Sequence, residues 1–331
     1  MINSFQTPCI VASLVKFYRK FNIFTVKYSM QNIKNNFKKF NILFPYLNIK
    51  EQIENFAVFD GFKLETIDIK ENIFESIRVN IIDNHLRLRK YFKLYDDLKS
   101  QNDVNTILHK IALGDRKQYA LYRTNKNISQ NRGRAIYKKL YELEIIKKEA
   151  TREKLPDKTI YKLLKKELRG YVAEDKIKFI KNIYRFWYTF ISPFENELEK
   201  GIYKSTIGNL EKNFDKFVSL TFEELSNELL KDKRYGLSII ESGGYWDKTI
   251  ELDLLARDIN HKFIIGECKW TNQKICKNVL RKLEYKAKNL NYDIIKFALF
   301  SKNGFSNSLY KKDLENVMLF DIKDFKRLND D

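Results

Sequence analysis

Two short stretches in the last third of the chain combine acidic side chains with strand-like alternation. Along Ile250-Glu251-Leu252-Asp253-Leu254-Leu255-Ala256, a β-strand turns Ile250, Leu252 and Leu254 to one side and Glu251 and Asp253 to the other. After a short Asn260-His261 connection, the run Phe263 to Trp270 repeats the pattern, with Ile265, Glu267 and Lys269 sharing a face. Hairpin pairing of the two strands would bring Asp253 beside Glu267. Carboxylates and an ammonium group among Ile, Phe and Trp are costly unless they pair, bind a metal or reach solvent. A divalent cation, Mg²⁺ or Mn²⁺, prefers oxygen ligands and retains waters that become nucleophiles in phosphodiester hydrolysis. Lys269 would orient the attacking water and offset charge building on the scissile phosphate. The plainer alternative is an ion-pair network around Lys269 that specifies the sheet, and a binding site without catalysis would carry the same residues.

The elements that must position these residues follow from periodicity. A helix near Asn213 to Lys231 has the buried stripe Val218, Phe222, Leu225 and Leu229. Strands are expected near Leu237 to Ile240, at Thr249 to Arg257 and at Lys262 to Trp270. They are followed by a helix near Gln273 to Leu290, a strand at Ile294 to Phe300, a helix near Asn307 to Glu315 and a strand at Val317 to Phe320. Helices flanking a mixed sheet make this an α/β domain. Upstream, Phe179, Ile180, Ile183, Phe186, Trp187, Phe190 and Ile191 fall on one apolar helix face that reads as core, and Pro193 ends that helix.

The region from Asp103 to about 172 reads as a winged helix-turn-helix. Val104, Ile107, Leu108 and Ile111 mark one amphipathic helix, a basic segment spans Arg116 to Arg123, and Ser129 can cap a third helix. That helix places Ile136, Leu140 and Leu143 on one face and Arg132, Arg134, Lys138 and Lys139 on the others. The β-prone Ile145-Ile146-Lys147-Lys148, a turn at Leu155-Pro156-Asp157 and a return strand near Tyr161 or Tyr171 would form the wing. In such a fold the third helix enters the DNA major groove. The same unit could instead space two domains or mediate dimerisation, with its charges a solvated face.

Composition fits a folded partner of a polyanion. The 331 residues hold 62 Lys and Arg against 43 Asp and Glu, a net charge of +19, with 44% hydrophobic residues. Nucleic acid, or less directly an anionic membrane surface, would neutralise that excess; a Lys-rich solubility bias is the alternative. With 11 Gly and 4 Pro, turn-dense all-β and collagen-like architectures are excluded. Cys9, Cys268 and Cys276 form no CxxC pair, which argues against a thiol zinc site and for a reducing cytoplasm. Lys16, Arg19 and Lys20 interrupt any N-terminal leader, and the run Phe179 to Phe194 carries Lys181 and Arg185, so a cytoplasmic protein with no membrane partner is expected. His85, His109 and His261 are isolated and do not stand at metal-ligand spacings.

ELDLLA (251–256) with GECKW (266–270) resembles the PD-(D/E)xK nuclease superfamily. More narrowly, GYWDKTIELDLLARDINHKFIIGECKW (244–270) is similar to the C-terminal domain of archaeal-type ATPases, a domain of unknown function within that superfamily. RFWYTFISP (185–193) and FVSLTFEEL (217–225) are similar to segments that precede the nuclease-like core in those proteins, often behind a winged helix. The resemblance covers residues 103 to 322. It implies Asp253 and Glu267 as metal ligands, Lys269 as the catalytic lysine, and a glutamate from the first core helix at Glu223, with Glu224 the alternative. No GxxxxGK(S/T) occurs, so ATP binding and hydrolysis do not carry over.

The expectation is therefore a helical or mixed region of unread role at 1–102, a winged helix at 103–172, a helical connector at 173–212 and a PD-(D/E)xK endonuclease-like α/β domain at 213–325. Its function would be Mg²⁺- or Mn²⁺-dependent hydrolysis of DNA phosphodiester bonds, with Arg132, Arg134, Lys138 and Lys139 contacting DNA. The rival is a non-catalytic DNA-binding or regulatory module related to archaeal-type ATPases, served by an ATPase or other protein partner in trans. RNA binding would draw on the same charge.

Overall fold

The computed structural model describes residues 32–114, 116–117, 128–152, 174–310 and 314–330. The first helices are α1 (Ile33–Leu43) and α2 (Ile49–Phe59). Asn32 accepts from the Lys34 amide to start α1, and Asn48 with Glu51 forms a reciprocal capping box on α2. Phe37 and Phe40 of α1 pack edge-on against Phe56 of α2. Then come α3 (Ile73–Ile77), which continues as a π turn over Arg78–Ile82, and α4 (His85–Phe92). Among the described residues the N-terminal region is helical, and no helix is long and apolar enough to cross a membrane.

Helix α5 (Leu98–Ala112) buries Val104, Ile107, Leu108 and Ile111 as their spacing predicts. Helix α6 (Gln130–Glu142) starts at Ser129, whose hydroxyl accepts from the Arg132 amide at 3.4 Å, and buries Ile136, Tyr137 and Leu140. Strand β1 (Ile146–Glu149) pairs antiparallel with β2 (Lys176–Phe179), and Lys117 makes an isolated antiparallel bridge to Lys176. Among the described residues, the partner of β1 is thus Lys176–Phe179. Tyr161, Tyr171 and the Leu155-Pro156-Asp157 turn lie outside the described residues. Alternating Lys-Ile-Lys-Phe leaves Ile177 as the one fully buried side chain of β2, a pattern too short to locate from sequence.

Helix α7 (Asn182–Phe186) runs into a π turn at Trp187–Ile191, and the expected apolar stripe is buried from Ile183 to Ile191. Trp187 stacks on Phe92 with centroids 4.1 Å apart. The short α8 (Glu195–Leu198) follows. Helix α9 (Lys204–Leu230) then runs unbroken for 27 residues. The expected boundary at 213 falls inside it, because Thr206, Leu210 and Phe214 continue the buried stripe of Val218, Phe222, Leu225 and Leu229 backwards without a breaker. The expected boundary at 103 lies within α5, and the one at 173 lies between β1 and its partner β2.

The C-terminal unit is a five-stranded mixed sheet in sequence order: β3 (Ile239–Trp246), β4 (Glu251–Asp258), β5 (Phe263–Lys269), β6 (Ile294–Ser301) and β7 (Val317–Asp321). The first two pairings are antiparallel hairpins. The last two are parallel crossovers, the first passing through α10 (Lys277–Lys288). Of the helix expected at 307–315, a single 3₁₀ turn at Asn307–Leu309 is described, residues 311–313 being outside the described set. A closing 3₁₀ helix spans Ile322–Asn329. Leu254, Ala256, Ile264, Cys268, Ala298 and Phe300 join the core shared with α9, whereas Leu252, Leu255, Ile265 and Leu299 pack with Leu280 and Leu283 of α10.

Strict alternation along β4 is therefore broken. Tyr245 pairs with Leu252 and Gly243 with Leu255, so two steps on β3 match three on β4. This bulge sends Leu252 and Leu254 to different cores, correcting the expectation that they share a side. It sits at Asp253.

Candidate active site

The register Leu254↔Gly266, extended by one residue, sets Asp253 opposite Glu267 on the neighbouring strand. An Asp253 carboxylate oxygen, Oδ2, accepts from the Cys268 backbone amide at 2.8 Å. Glu267 Oε1 accepts from Lys269 Nζ at 2.5 Å, and its Oε2 lies 3.4 Å from Lys286 Nζ. Gly266 makes room for this approach of strands: a Cβ there would stand 3.1 Å from the Ala298 carbonyl and 3.2 Å from Leu254 Cβ.

Lys286 has no counterpart in the expected site. It comes from α10, whose Leu280 and Leu283 face the sheet, and it also donates to the Glu251 carbonyl at 2.9 Å. A lysine three residues after Leu283 borders the buried stripe, so its reach toward the sheet is the helical-period signal that could have revealed it.

Electrostatics place Glu223 in the same group. Burial, then the Asp253 charge, push the Glu223 carboxyl up to about 8, while Arg116 and Arg185 oppose the shift. Burial and the Glu267 charge likewise raise Asp253 to about 6, against the pull of the Cys268 amide, Lys269 and Lys286. Burial acts to lower the Lys269 ammonium, but its hydrogen bond to Glu267 and the nearby Asp253 charge outweigh it, and its pKa is raised.

Glu224, one residue along α9, points into other surroundings. It accepts from Lys178 Nζ of β2 at 2.6 Å, and Lys178 also reaches Glu149 at 3.5 Å. Burial would raise the Glu224 carboxyl, yet Lys178 and Arg185 hold it below the ordinary range. Arg116 pairs with Glu149, closing a chain of charges between the β1–β2 ribbon and α9. Glu223 is thus the residue of this pair that neighbours Asp253.

Among the described residues no group of three or more His, Cys, Asp and Glu is arranged to hold a metal ion. The histidines are engaged elsewhere: His85 and His109 with the Ile82 and Tyr188 carbonyls, and His261 with Arg257. Cys268 is buried, and desolvation pushes its thiol well above the usual value, in keeping with packing. Asp253 and Glu267, whose charges interact and which are both oxygen donors, are the residues that could hold a hard cation that keeps several of its waters.

The four basic residues of α6 divide. Arg132 pairs with Asp103 of α5 and donates to Ser100 Oγ at 3.1 Å, and Lys139 donates to the Leu94 carbonyl at 2.8 Å with its ammonium 3.6 Å from the Tyr95 ring centroid. These two side chains hold α6 to its neighbours. Arg134 and Lys138 are exposed, the latter 3.9 Å from Glu142.

The family model DUF234, described as archaeal and bacterial proteins of unknown function, matches residues 187–287. That span runs from the π turn after α7 through α9 and the three antiparallel strands into α10. Among solved structures the chain is similar to protein VC1899 from Vibrio cholerae, at 12% identity and a TM-score of 0.30, covering 92% of this chain and 56% of that one. The chain thus spans little more than half the length of that protein. No curated protein matches it.

Proposed function

We propose that the protein is a PD-(D/E)xK-type phosphodiesterase that cuts DNA with Mg²⁺ or Mn²⁺. The observation that carries this reading is the placement of Asp253 opposite Glu267, with Lys269 bonded to Glu267 and Glu223 beside Asp253. The elements that carry these residues are a helix, an antiparallel three-strand meander and a crossover helix to a parallel strand. Asp253 and Glu267 would hold the cation, which when bound supplies a Lewis acid and an acidified water. Lys269 would neutralise charge on the scissile phosphate. Glu223, whose carboxyl burial raises to about 8, would first release its proton to solvent when positive charge at Asp253 and Glu267 lowers the repulsion around it, and as a carboxylate would then accept the proton lost from the attacking water.

A winged helix would deliver the duplex. This is supported by the sequence of α5, the Lys117 bridge, α6 and the β1–β2 ribbon, with Arg134 and Lys138 outward. A DNA-binding or regulatory module without catalysis, alone or with an ATPase partner, is favoured by one observation. Both oxygens of Glu267 already face ammonium groups, so two lysines balance two carboxylates with no cation.

The deciding experiment is cleavage of plasmid and linear DNA in Mg²⁺, Mn²⁺ or EDTA by the parent chain, Asp253→Ala and Lys269→Ala. Metal-dependent cutting lost in both variants is the expected result. Cutting that persists in both rejects the assignment, and DNA binding without any cutting favours the adaptor.

A further inference from the structure

Helix α10 carries an outward face that the proposed reaction does not use. Arg281, Lys282, Tyr285 and Lys288 are exposed and recur on one side of the helix. Among the described residues Arg281, Lys282 and Lys288 have no ion-pair partner, and Glu284 is the single acid of the helix. Tyr285 is 71% exposed, a large apolar ring left in water amid like charges.

The same helix also touches the carboxylates through Lys286, which lies between this outward face and the sheet-facing stripe. Lys286, next to Tyr285, reaches Glu267 and the Glu251 carbonyl, and the Glu251 carboxylate pairs with Lys176 of β2. Lys176 also lies over the Trp246 ring at 4.3 Å. The basic ribbon and α10 therefore both contact Glu251, two residues from Asp253.

Cations alone would suit any phosphate backbone. An exposed ring flanked by them adds a demand, since it can stack only on a base whose face is free. In a blunt duplex the bases are stacked on one another and leave such a ring unused.

We propose that the Arg281–Lys282–Tyr285–Lys288 face of α10 binds a single-stranded stretch of DNA, with phosphates on the cations and one base on the Tyr285 ring. The inference rests on the nucleic-acid reading above for its partner, but not on cleavage.

The test is fluorescence anisotropy of the full chain in EDTA, with a blunt duplex and the same duplex bearing a single-stranded overhang. The parent is compared with Tyr285→Ala and with the triple variant Arg281→Ala/Lys282→Ala/Lys288→Ala, each checked for an unchanged circular dichroism spectrum. Tyr285→Ala is expected to weaken overhang binding about tenfold and leave the blunt duplex unaffected. The triple variant should lower the salt slope on the overhang by about 2. Overhang affinity unchanged in both variants, or equal weakening of both DNAs by Tyr285→Ala, overturns the proposal. A chain that binds the overhang through Tyr285 yet never cuts supports the surface and rejects the enzyme.

Discussion

Glu223 and Glu224 are sequence neighbours on one helix, yet their carboxyls are driven in opposite directions. Glu224 is bonded to Lys178 and held acidic, whereas Glu223 stands against Asp253 and is raised to about 8. The side that α9 turns to the ribbon is neutralised by cations. The side it turns to the sheet accumulates acid, which is the condition under which a bound cation gains most.

That accumulation gives a pH signature. Folded Glu223 and Asp253 retain protons that the unfolded chain releases from about pH 4. The unfolding free energy contributed by these groups therefore falls as pH rises toward about 6 for Asp253 and about 8 for Glu223. Glu223→Gln should raise Tm at pH 8.5 by about 2 °C or more and change it little at pH 4. Calorimetry across this range decides it, and identical pH dependence in parent and variant refutes the assignment.

Mg²⁺ should stabilise the parent more at pH 8 than at pH 5.5, since its ligands must be ionised. Asp253→Asn should abolish that increment. An increment of equal size in the variant would place the cation elsewhere.

Lys269→Met should reduce kcat for DNA cleavage by about 100-fold while DNA affinity in EDTA stays within a factor of two or so. A fall in affinity with kcat preserved would make Lys269 a binding group instead.

Lys178→Met removes the cation from a half-buried carboxylate and should destabilise the chain by about 1–3 kcal/mol in urea unfolding. Adding Glu224→Leu should recover most of that loss, because the isolated buried charge disappears with its partner. No recovery in the double variant would show that packing, not charge, dominates there.

On α6, Arg134→Ala with Lys138→Ala should lower duplex affinity and reduce the salt slope by about 2. Arg132→Ala should leave the slope intact and lower stability instead, since it loses Asp103 and Ser100. The reverse pattern in anisotropy titrations would restore Arg132 to the DNA face.

Where side chains follow a single period, the fold was legible. The stripe from Ile183 to Ile191, that of α9 and the antiparallel pairing of β4 with β5 all follow from spacing. What escaped depended on departures from a period or on distant partners. The β4 bulge separates Leu252 from Leu254, and nothing in the local residue types marks the extra step. Arg132 reads as a groove contact until Asp103, on another helix, captures it. The choice between Glu223 and Glu224 rests on Lys178, some 45 residues upstream in a strand with one buried side chain. Lys286 lies on the same footing, tied to the carboxylates across a helix–sheet gap.

Helix α9 has a mechanical consequence. At 27 residues it is about 40 Å long. Along its central stretch Phe214 meets Phe74, Phe217 meets Phe186 and Phe190, and Phe222 meets Trp270. A single rigid rod is a wall of both halves, so a fragment severed anywhere along it keeps a bare aromatic ridge that invites self-association. Neither half is a detachable cassette, and a shuffling event that exchanged one for an unrelated module would have to carry the whole rod with it.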